Sequence, residues 1–461
     1  MKEKKLQKVG LVSLGCAKNR VDSENLLGML AERGLTIVAD PAEADVIFVN
    51  TCGFIESAKQ ESIDAILEMA AYKTEGNLKK LFVTGCLAQR YPDALLSEIP
   101  EIDGIMGVSD YARLNEMMDD AEKGERPCCI QSGARFLNTP RILTTPGYSA
   151  FVKISDGCDN RCTYCAIPLI RGGYSSRPFD DIVAECERLA AEGVTELTLI
   201  AQDTSRYGCD FSAETLEDIR ARYGTKRPVQ PSRFLLPELL EVVSRIEGVH
   251  WVRVLYCYPD STEDRLLEAI VELPKVAPYL DLPLQHINDS LLRRMNRRGS
   301  SEWIKSRVAE CHKKGIIVRT TMILGFPGET DEQFAELLDF VKDTRFERLG
   351  AFTYSAEEGT PAAEMPDQID EDVKTARLDQ LMMLQQSVSM EVNEARIGTE
   401  CEVLVDGEEE GRVYGRSLLE APESDGCIWL ENAENVQPGQ YVRARITNAD
   451  AYDLYAEIIE E

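Results

Sequence analysis

The chain has 461 residues, 44% of them apolar and 28% charged, with a formal net charge of −29. That length predicts two or three domains, and that composition a globular chain able to bury a large core. No apolar run approaches bilayer-spanning length, the opening Met-Lys-Glu-Lys-Lys lacks signal-peptide character, and so acidic a balance argues against a protein built mainly to grip phosphate.

The expectation is a cytoplasmic protein, in which fourteen cysteines read as metal or redox chemistry before disulfides. Residues 1–130 alternate short apolar runs with helical patterns, as an open parallel α/β sheet does. Val9–Leu14 ends at Gly15-Cys16, Ala44–Val49 leads to Asn50-Thr-Cys52, and Leu81–Thr84 leads to Gly85-Cys86. Strand ends of a parallel sheet share one edge, so Cys16, Cys52 and Cys86 are expected to converge there as ligands of a cluster. A helix is predicted over Asp22–Arg33, stopped by Gly34. Residues 126–149 are rich in turn formers, and a linker is set at 131–149. The adjacent Cys128 and Cys129 make poor joint ligands and read as surface or incidental.

Residues 150–365 resume the alternation. Strands are predicted at 150–155, 195–201, 250–256, 279–283, 316–324 and 348–354, with helices near 179–192, 235–247, 262–273, 302–314 and 331–343. Six strand–helix units imply a partial (β/α)6 parallel barrel, open on one side. The polar stretch 206–232 is an insertion without a predicted place. Just past the first of these strands, Cys158-Asp-Asn-Arg-Cys162-Thr-Tyr-Cys165 delivers three thiols into one loop. A structural zinc closes its shell with a fourth protein ligand, and none is local here. Three thiolates suit a [4Fe–4S] cluster with one iron open to an exogenous ligand. Residues 366–395 read as a charged helical connector. The last segment, 396–461, breaks short strands with Gly, Asn and Asp turns, as a small β-barrel does. Its five arginines and no lysine face sixteen carboxylates, a balance of −11.

CxxxCxxC with Tyr164 before the third cysteine resembles the radical S-adenosylmethionine (SAM) signature. In that superfamily the methionine moiety of SAM chelates the open iron, and the reduced cluster cleaves SAM to a 5′-deoxyadenosyl radical. Adding the three strand-end cysteines and a terminal barrel similar to the TRAM domain, an oligonucleotide/oligosaccharide-binding-like module, the whole chain resembles the radical-SAM methylthiotransferase family. Ser13–Glu24, Gln202–Gly208, Leu282–Asp289, Tyr354–Gly359, Gly415-Arg-Ser417 and Ala421–Gly426 resemble the group that modifies the β-carbon of an aspartate in small-subunit ribosomal protein twelve. The usual Ser-Pro-Glu-Glu of that group reads Ser355-Ala-Glu-Glu here.

The resemblance implies two [4Fe–4S] clusters, a catalytic one on Cys158, Cys162 and Cys165 and a sulfur-carrying one on Cys16, Cys52 and Cys86. SAM is implied twice, once to methylate a sulfur of the N-terminal cluster and once as the radical source. Tyr164 is expected against the adenine. Gly325 and Glu329 lie in an adenine-side stretch, Gly325-Phe-Pro-Gly328-Glu329, and Gln285 and Arg319 at positions that reach the SAM carboxylate or ribose. The implied partners are ribosomal protein twelve, free or in the ribosome, an electron donor and a sulfur donor, with no membrane and no nucleic-acid substrate. A last domain at −11 repels RNA and suits a Lys/Arg-rich protein. Two alternatives share these features: a tRNA (adenosine) methylthiotransferase of the same architecture, and a non-catalytic iron–sulfur carrier. Cys186, Cys209, Cys257, Cys311, Cys401 and Cys427 lack ligand spacing and read as packing, while Asp203 and His286 stay open between structure and chemistry.

Overall fold

Val46-Ile-Phe-Val-Asn-Thr51 is buried along its whole length, as a strand must be when helices cover both faces of a parallel sheet. In the computed structural model, which describes residues 6–131, 136, 139–225, 233–433 and 435–459, it lies third in a six-stranded sheet. The chain divides into two units. One holds Met1–Thr144, Ser155–Arg177 and Ser355–Ala363; the other holds Thr145–Ile154, Pro178–Tyr354 and Glu364–Glu461.

In the first unit the strands are β1 (Lys8–Ser13), β2 (Thr36–Ile37), β3 (Val46–Thr51), β4 (Lys80–Gly85), β5 (Gly104–Met106) and β6 (Cys128–Cys129). They pair in the order β2-β1-β3-β4-β5-β6, every pairing parallel. Alternation of side chains sorts the core into two layers. Val46 and Phe48 pack with Leu26, Leu30 and Phe82 on one face; Ile47 and Val49 pack with Ile66, Leu81 and Val83 on the other.

Two expectations for this region change. Cys128 and Cys129 form the sixth strand, and Cys129 is buried in the core of one face. Two residues are too few to leave a period, so the turn formers around them masked the strand. The first helix runs Ala17–Glu32 and starts five residues before the predicted Asp22. Its early buried positions include Lys18, Asn19, Asp22, Ser23 and Glu24 alongside Val21, a mostly polar inner face that an apolar-period search passes over.

The second unit carries two parallel three-stranded sheets, β7 (Ser149–Lys153), β8 (Glu196–Ile200) and β9 (Trp251–Val254), then β10 (Tyr279–Asp281), β11 (Ile317–Leu324) and β12 (Arg348–Thr353). Backbone bonds from Ala277 to Val252 and from Cys257 to Asp281 join them into one open arc. The stretch without a predicted place contains a helix, Ala213–Tyr223, capped by the Ser212 hydroxyl; 226–232 lies outside the described residues. A helix, Glu371–Glu394, leads to a closed antiparallel-rich barrel of β13 (Glu400–Glu409), β14 (Arg412–Arg416), β15 (Ile428–Glu431), β16 (Tyr441–Ala449) and β17 (Leu454–Ile458). Val403, Val405, Ile428, Ile446 and Leu454 fill it. Among the described residues no helix is long and apolar enough to cross a membrane.

Within this unit the small barrel is fastened to β8 by charge. Arg416 donates both guanidinium arms to the fully buried Glu196, at 3.1 and 2.9 Å. Burial alone would raise the Glu196 pKa, but Arg416, Arg253 and the Ser149 hydroxyl outweigh it and hold the carboxyl at about 2 instead of 4.5. A carboxyl depressed in the folded state stabilises it fully above the ordinary carboxylate pKa and stops doing so as pH falls toward 2. Arg416→Met leaves Glu196 short of its bidentate partner, and urea unfolding at pH 7 should show a loss of about 3–5 kcal/mol. The difference between variant and wild type should shrink below about pH 4.5; a difference independent of pH would contradict the assignment.

Candidate iron–sulfur site

The register of the first sheet sets the site. Ser13 lies opposite Asn50 and Thr51 opposite Gly85, so β1, β3 and β4 end side by side. The next residues deliver the thiols: Cys16 is the N-cap of Ala17–Glu32, Cys52 follows β3, and Cys86 opens the short helix Cys86–Arg90. Gly15, at φ +90°, makes the approach possible. A Cβ there would lie 3.0 Å from the Cys52 Cβ and 3.3 Å from its Sγ.

The three thiols differ electrically. Cys16 keeps solvent-exposed surface although much of the protein crowds around it. Burial opposes its ionisation, yet Lys18, Arg171 and the backbone N–H groups of Asn19 and Lys18 outweigh that, and its pKa falls below the ordinary thiol value. A helix N-terminus is a position that favours a thiolate. For Cys52 burial prevails and raises the pKa. Burial also pushes the Cys86 thiol up to about 12, against the nearby Arg171. Cys16 raises the pKa of both its neighbours, which places the three within each other's fields.

The second trio belongs to the same unit. Ser155–Asp156 pairs antiparallel with Ser175–Ser176 and closes the base of a loop that carries Cys158, Cys162 and Cys165. Cys158 N–H donates to the Gly172 carbonyl and Cys165 N–H to the Cys162 carbonyl, so both ends of the CxxxCxxC run are held by the backbone. Cys162 is buried, while Cys158, Tyr164 and Cys165 are half-buried. The helix that follows, Ile167–Arg171, packs Ala166 and Ile170 against Cys86 and Val108. The two cysteine sets are thus neighbours through one small apolar contact.

Among the described residues no three His, Cys, Asp or Glu side chains close around a single metal ion. Each thiolate of a cubane takes a different iron, so its ligands stand farther apart than those of a mononuclear site. All-sulfur donor sets, with glycine where the backbone must draw close, fit the cubane.

The remaining expected contacts lie in the second unit. Gln285 sits past β10 at φ +73°, half-buried, with a buried Oε1 that lacks a hydrogen-bond partner. Arg319 is half-buried on β11. Burial opposes its charge, but Asp281, Tyr279 and Asp425 raise its pKa. Gly325 and Glu329 meet within their own turn. Gly325 N–H donates to Glu329 Oε2, whose other oxygen takes Arg377 at 2.7 Å, and a Cβ on Gly325 would strike Lys374 Cγ at 2.3 Å. Asp203 is internal, accepting from Ser205 and Ser261. His286 is buried at 3.7 Å from Glu329, and burial together with Arg377 holds its pKa at about 3.

Two residues escaped the sequence reading. Gln202, just past β8, keeps both amide atoms buried without a partner, and its position beyond a strand end was the available signal. Arg171 had none, because only the fold carries its side chain to Asp22 and Cys86.

Family models match residues 8–107 (an uncharacterised protein family, UPF0004), 152–341 (radical SAM superfamily) and 397–459 (TRAM domain). The chain is 44% identical to the ribosomal protein uS12 methylthiotransferase RimO of Clostridioides difficile (strain 630), over 98% of this chain and 99% of that one. It is 47% identical to the RimO of Clostridium botulinum (strain Hall), over 98% of each. The chain belongs to the uS12 methylthiotransferase family.

A solved structure of the radical SAM methyltransferase TsrM from Kitasatospora setae, with cobalamin and a [4Fe–4S] cluster bound, aligns over 77% of both chains with a TM-score of 0.52 at 16% identity, a likeness of fold alone. As a radical-SAM member of its family this methylthiotransferase works with iron–sulfur clusters and SAM. Gly15→Ala places a Cβ against Cys52 in a backbone conformation that costs an L-residue about 1–2 kcal/mol. Iron analysis of the anaerobically purified variant should fall from about eight to about four per chain; retention of about eight would show that Cys52 needs no such clearance.

Proposed function

We propose that this enzyme, a radical-SAM methylthiotransferase of ribosomal protein uS12, divides its work between the two thiol trios described above, placing a methylthio group on the β-carbon of an aspartate. Cys158, Cys162 and Cys165 would hold the SAM-binding cluster, and Cys16, Cys52 and Cys86 the one that carries the sulfur to be donated. When bound, these groups supply a 5′-deoxyadenosyl radical able to break an unactivated C–H bond and a sulfur to replace the hydrogen, chemistry beyond any side chain. The observation that carries the reading is the convergence of three strand ends, each followed by a cysteine, in the unit that also holds the CxxxCxxC loop.

The chain's own residues prepare the site. Lys18 and the helix N-terminus favour the thiolate of Cys16, the state a ligand must reach. Tyr164, one residue before Cys165, is assigned to the adenine. Arg319, Gln285 with its unpartnered Oε1 and Gln202 with its unpartnered amide are assigned to the polar part of SAM, and Gly325 and Glu329 to its adenine side. External electron and sulfur donors complete the cycle, and the cytoplasm is where such a substrate is met. The domain limits that go with this reading are 1–130, 150–365 and 396–461, with 131–149 and 366–395 as connectors.

The last barrel favours a protein substrate over the tRNA alternative. Its five arginines are all engaged: Arg396 with Glu420, Arg416 with Glu196 and Asp406, Arg443 and Arg445 with Glu400, and Arg412 over the Trp429 ring at 4.4 Å. Four of the five are already paired with carboxylates of the chain, and the surplus of carboxylates suits a basic surface.

Cys16→Ala/Cys52→Ala/Cys86→Ala should keep about four irons and still release 5′-deoxyadenosine from SAM and a reductant. It should give no methylthio addition on uS12 by mass spectrometry, whereas wild type modifies one aspartate. An inert wild type would point to a carrier instead, and tight, steeply salt-dependent tRNA binding to the tRNA enzyme.

A further inference from the structure

Arg171 ends the helix Ile167–Arg171, with 2% of its side chain exposed. Nη1 donates to both Asp156 oxygens at 3.1 Å. Nη2 donates to Asn19 Oδ1 at 2.7 Å and to Asp22 Oδ2 at 2.9 Å, and lies 3.8 Å from Cys86 Sγ. Asp156 stands at the entry to the Cys158–Cys165 loop, and Asn19 and Asp22 ride the helix that Cys16 caps. One guanidinium therefore touches the base of one cysteine set, the helix of another, and a sulfur of that second set.

Such an arrangement exceeds what a buried ion pair needs. A guanidinium satisfies one carboxylate with two parallel bonds. Arg171 does not form that fork: it spans Asp156 with Nη1 alone and extends Nη2 to Asn19, Asp22 and Cys86. The residue is also fixed from behind, because Ile170 packs on Cys86. Hydrogen bonds to ligating sulfurs and nearby positive charge stabilise the reduced, more negative state of an iron–sulfur cluster, and so raise its potential.

We propose that Arg171 is a positioning residue that sets the reduction potential of the cluster held by Cys16, Cys52 and Cys86, through its contact with Cys86. This rests on reading those cysteines as cluster ligands. Asp22 opposes the effect, since it shares Nη2 and adds a negative charge beside the same sulfur. The two residues therefore act with opposite sign on one measurable quantity.

The test is an EPR-monitored redox titration of the anaerobically purified full chain, the N-terminal signal being the one lost in Cys16→Ala/Cys52→Ala/Cys86→Ala. Arg171→Gln should shift that midpoint to more negative potential. Arg171→Lys should shift it less, because the charge remains although the second arm is lost. Asp22→Asn, the milder change should Arg171→Gln fold poorly, should shift it to more positive potential. Loosening of the site would move both classes of variant the same way, so shifts of equal sign, or none, overturn the proposal. A wild-type chain with about four irons would instead overturn the ligand assignment and this role with it; about eight irons with an unmoved midpoint would overturn the role of Arg171 alone.

Discussion

The parallel register of β1, β3 and β4 is the constraint on which the rest of the molecule depends. Three neighbouring strands stop level with each other, and the chain places a cysteine within three residues of each stop. Parallel strands must be joined by crossovers, so these cysteines are far apart in sequence and adjacent only through the sheet. Anything that slips one strand by a single position would turn its cysteine away. The unbroken burial of β3, flanked by apolar layers on both faces, is what prevents such a slip.

The helix beginning at Cys16 shows how a functional face is built at the expense of a legible pattern. A helix on a sheet normally turns apolar residues inward, whereas this one buries Lys18, Asn19, Asp22, Ser23 and Glu24 in its first half. Three of them have functions that apolar packing could not serve. Asn19 donates to the Leu14 and Thr51 carbonyls and so fastens two strand ends. Asp22 holds Arg171. Glu24 accepts from the Thr144 backbone and hydroxyl. The cost of burying these groups is offset by their hydrogen bonds to the backbone and to side chains such as Arg171, Asn50 and Thr144.

Legibility followed the physics of each signal. The strands were readable because buried parallel strands are apolar runs of the right length, and the cysteines because their place after a strand recurs. Six barrel strands and their helices fell within a few residues of expectation for the same reason. The two-residue strand at Cys128–Cys129 was too short to read, and the start of the first helix was hidden by its polar face. At Gly325 the pattern reports that something comes close, not what; in the fold it is the stem of Lys374. Arg171 was unreadable in principle, since its partners lie at positions 19, 22, 86 and 156 and no local pattern connects them.

The terminal barrel adds a distinction that composition alone leaves incomplete. Net charge tells how a domain looks from a distance, but a phosphate backbone is gripped by individual cations that are free to meet it. An acidic domain with several unpaired arginines on one face would still bind RNA. Here Arg416 is buried against Glu196 and Asp406, Arg396 meets Glu420, Arg443 and Arg445 share Glu400, and Arg412 lies over the Trp429 ring and near that of Tyr455. The cations serve the barrel's own cohesion and its attachment to β8, while Glu408, Glu409, Glu410 and Glu431 remain exposed. A module of a type associated with oligonucleotides is thereby left with an acidic surface that a cation-rich partner complements.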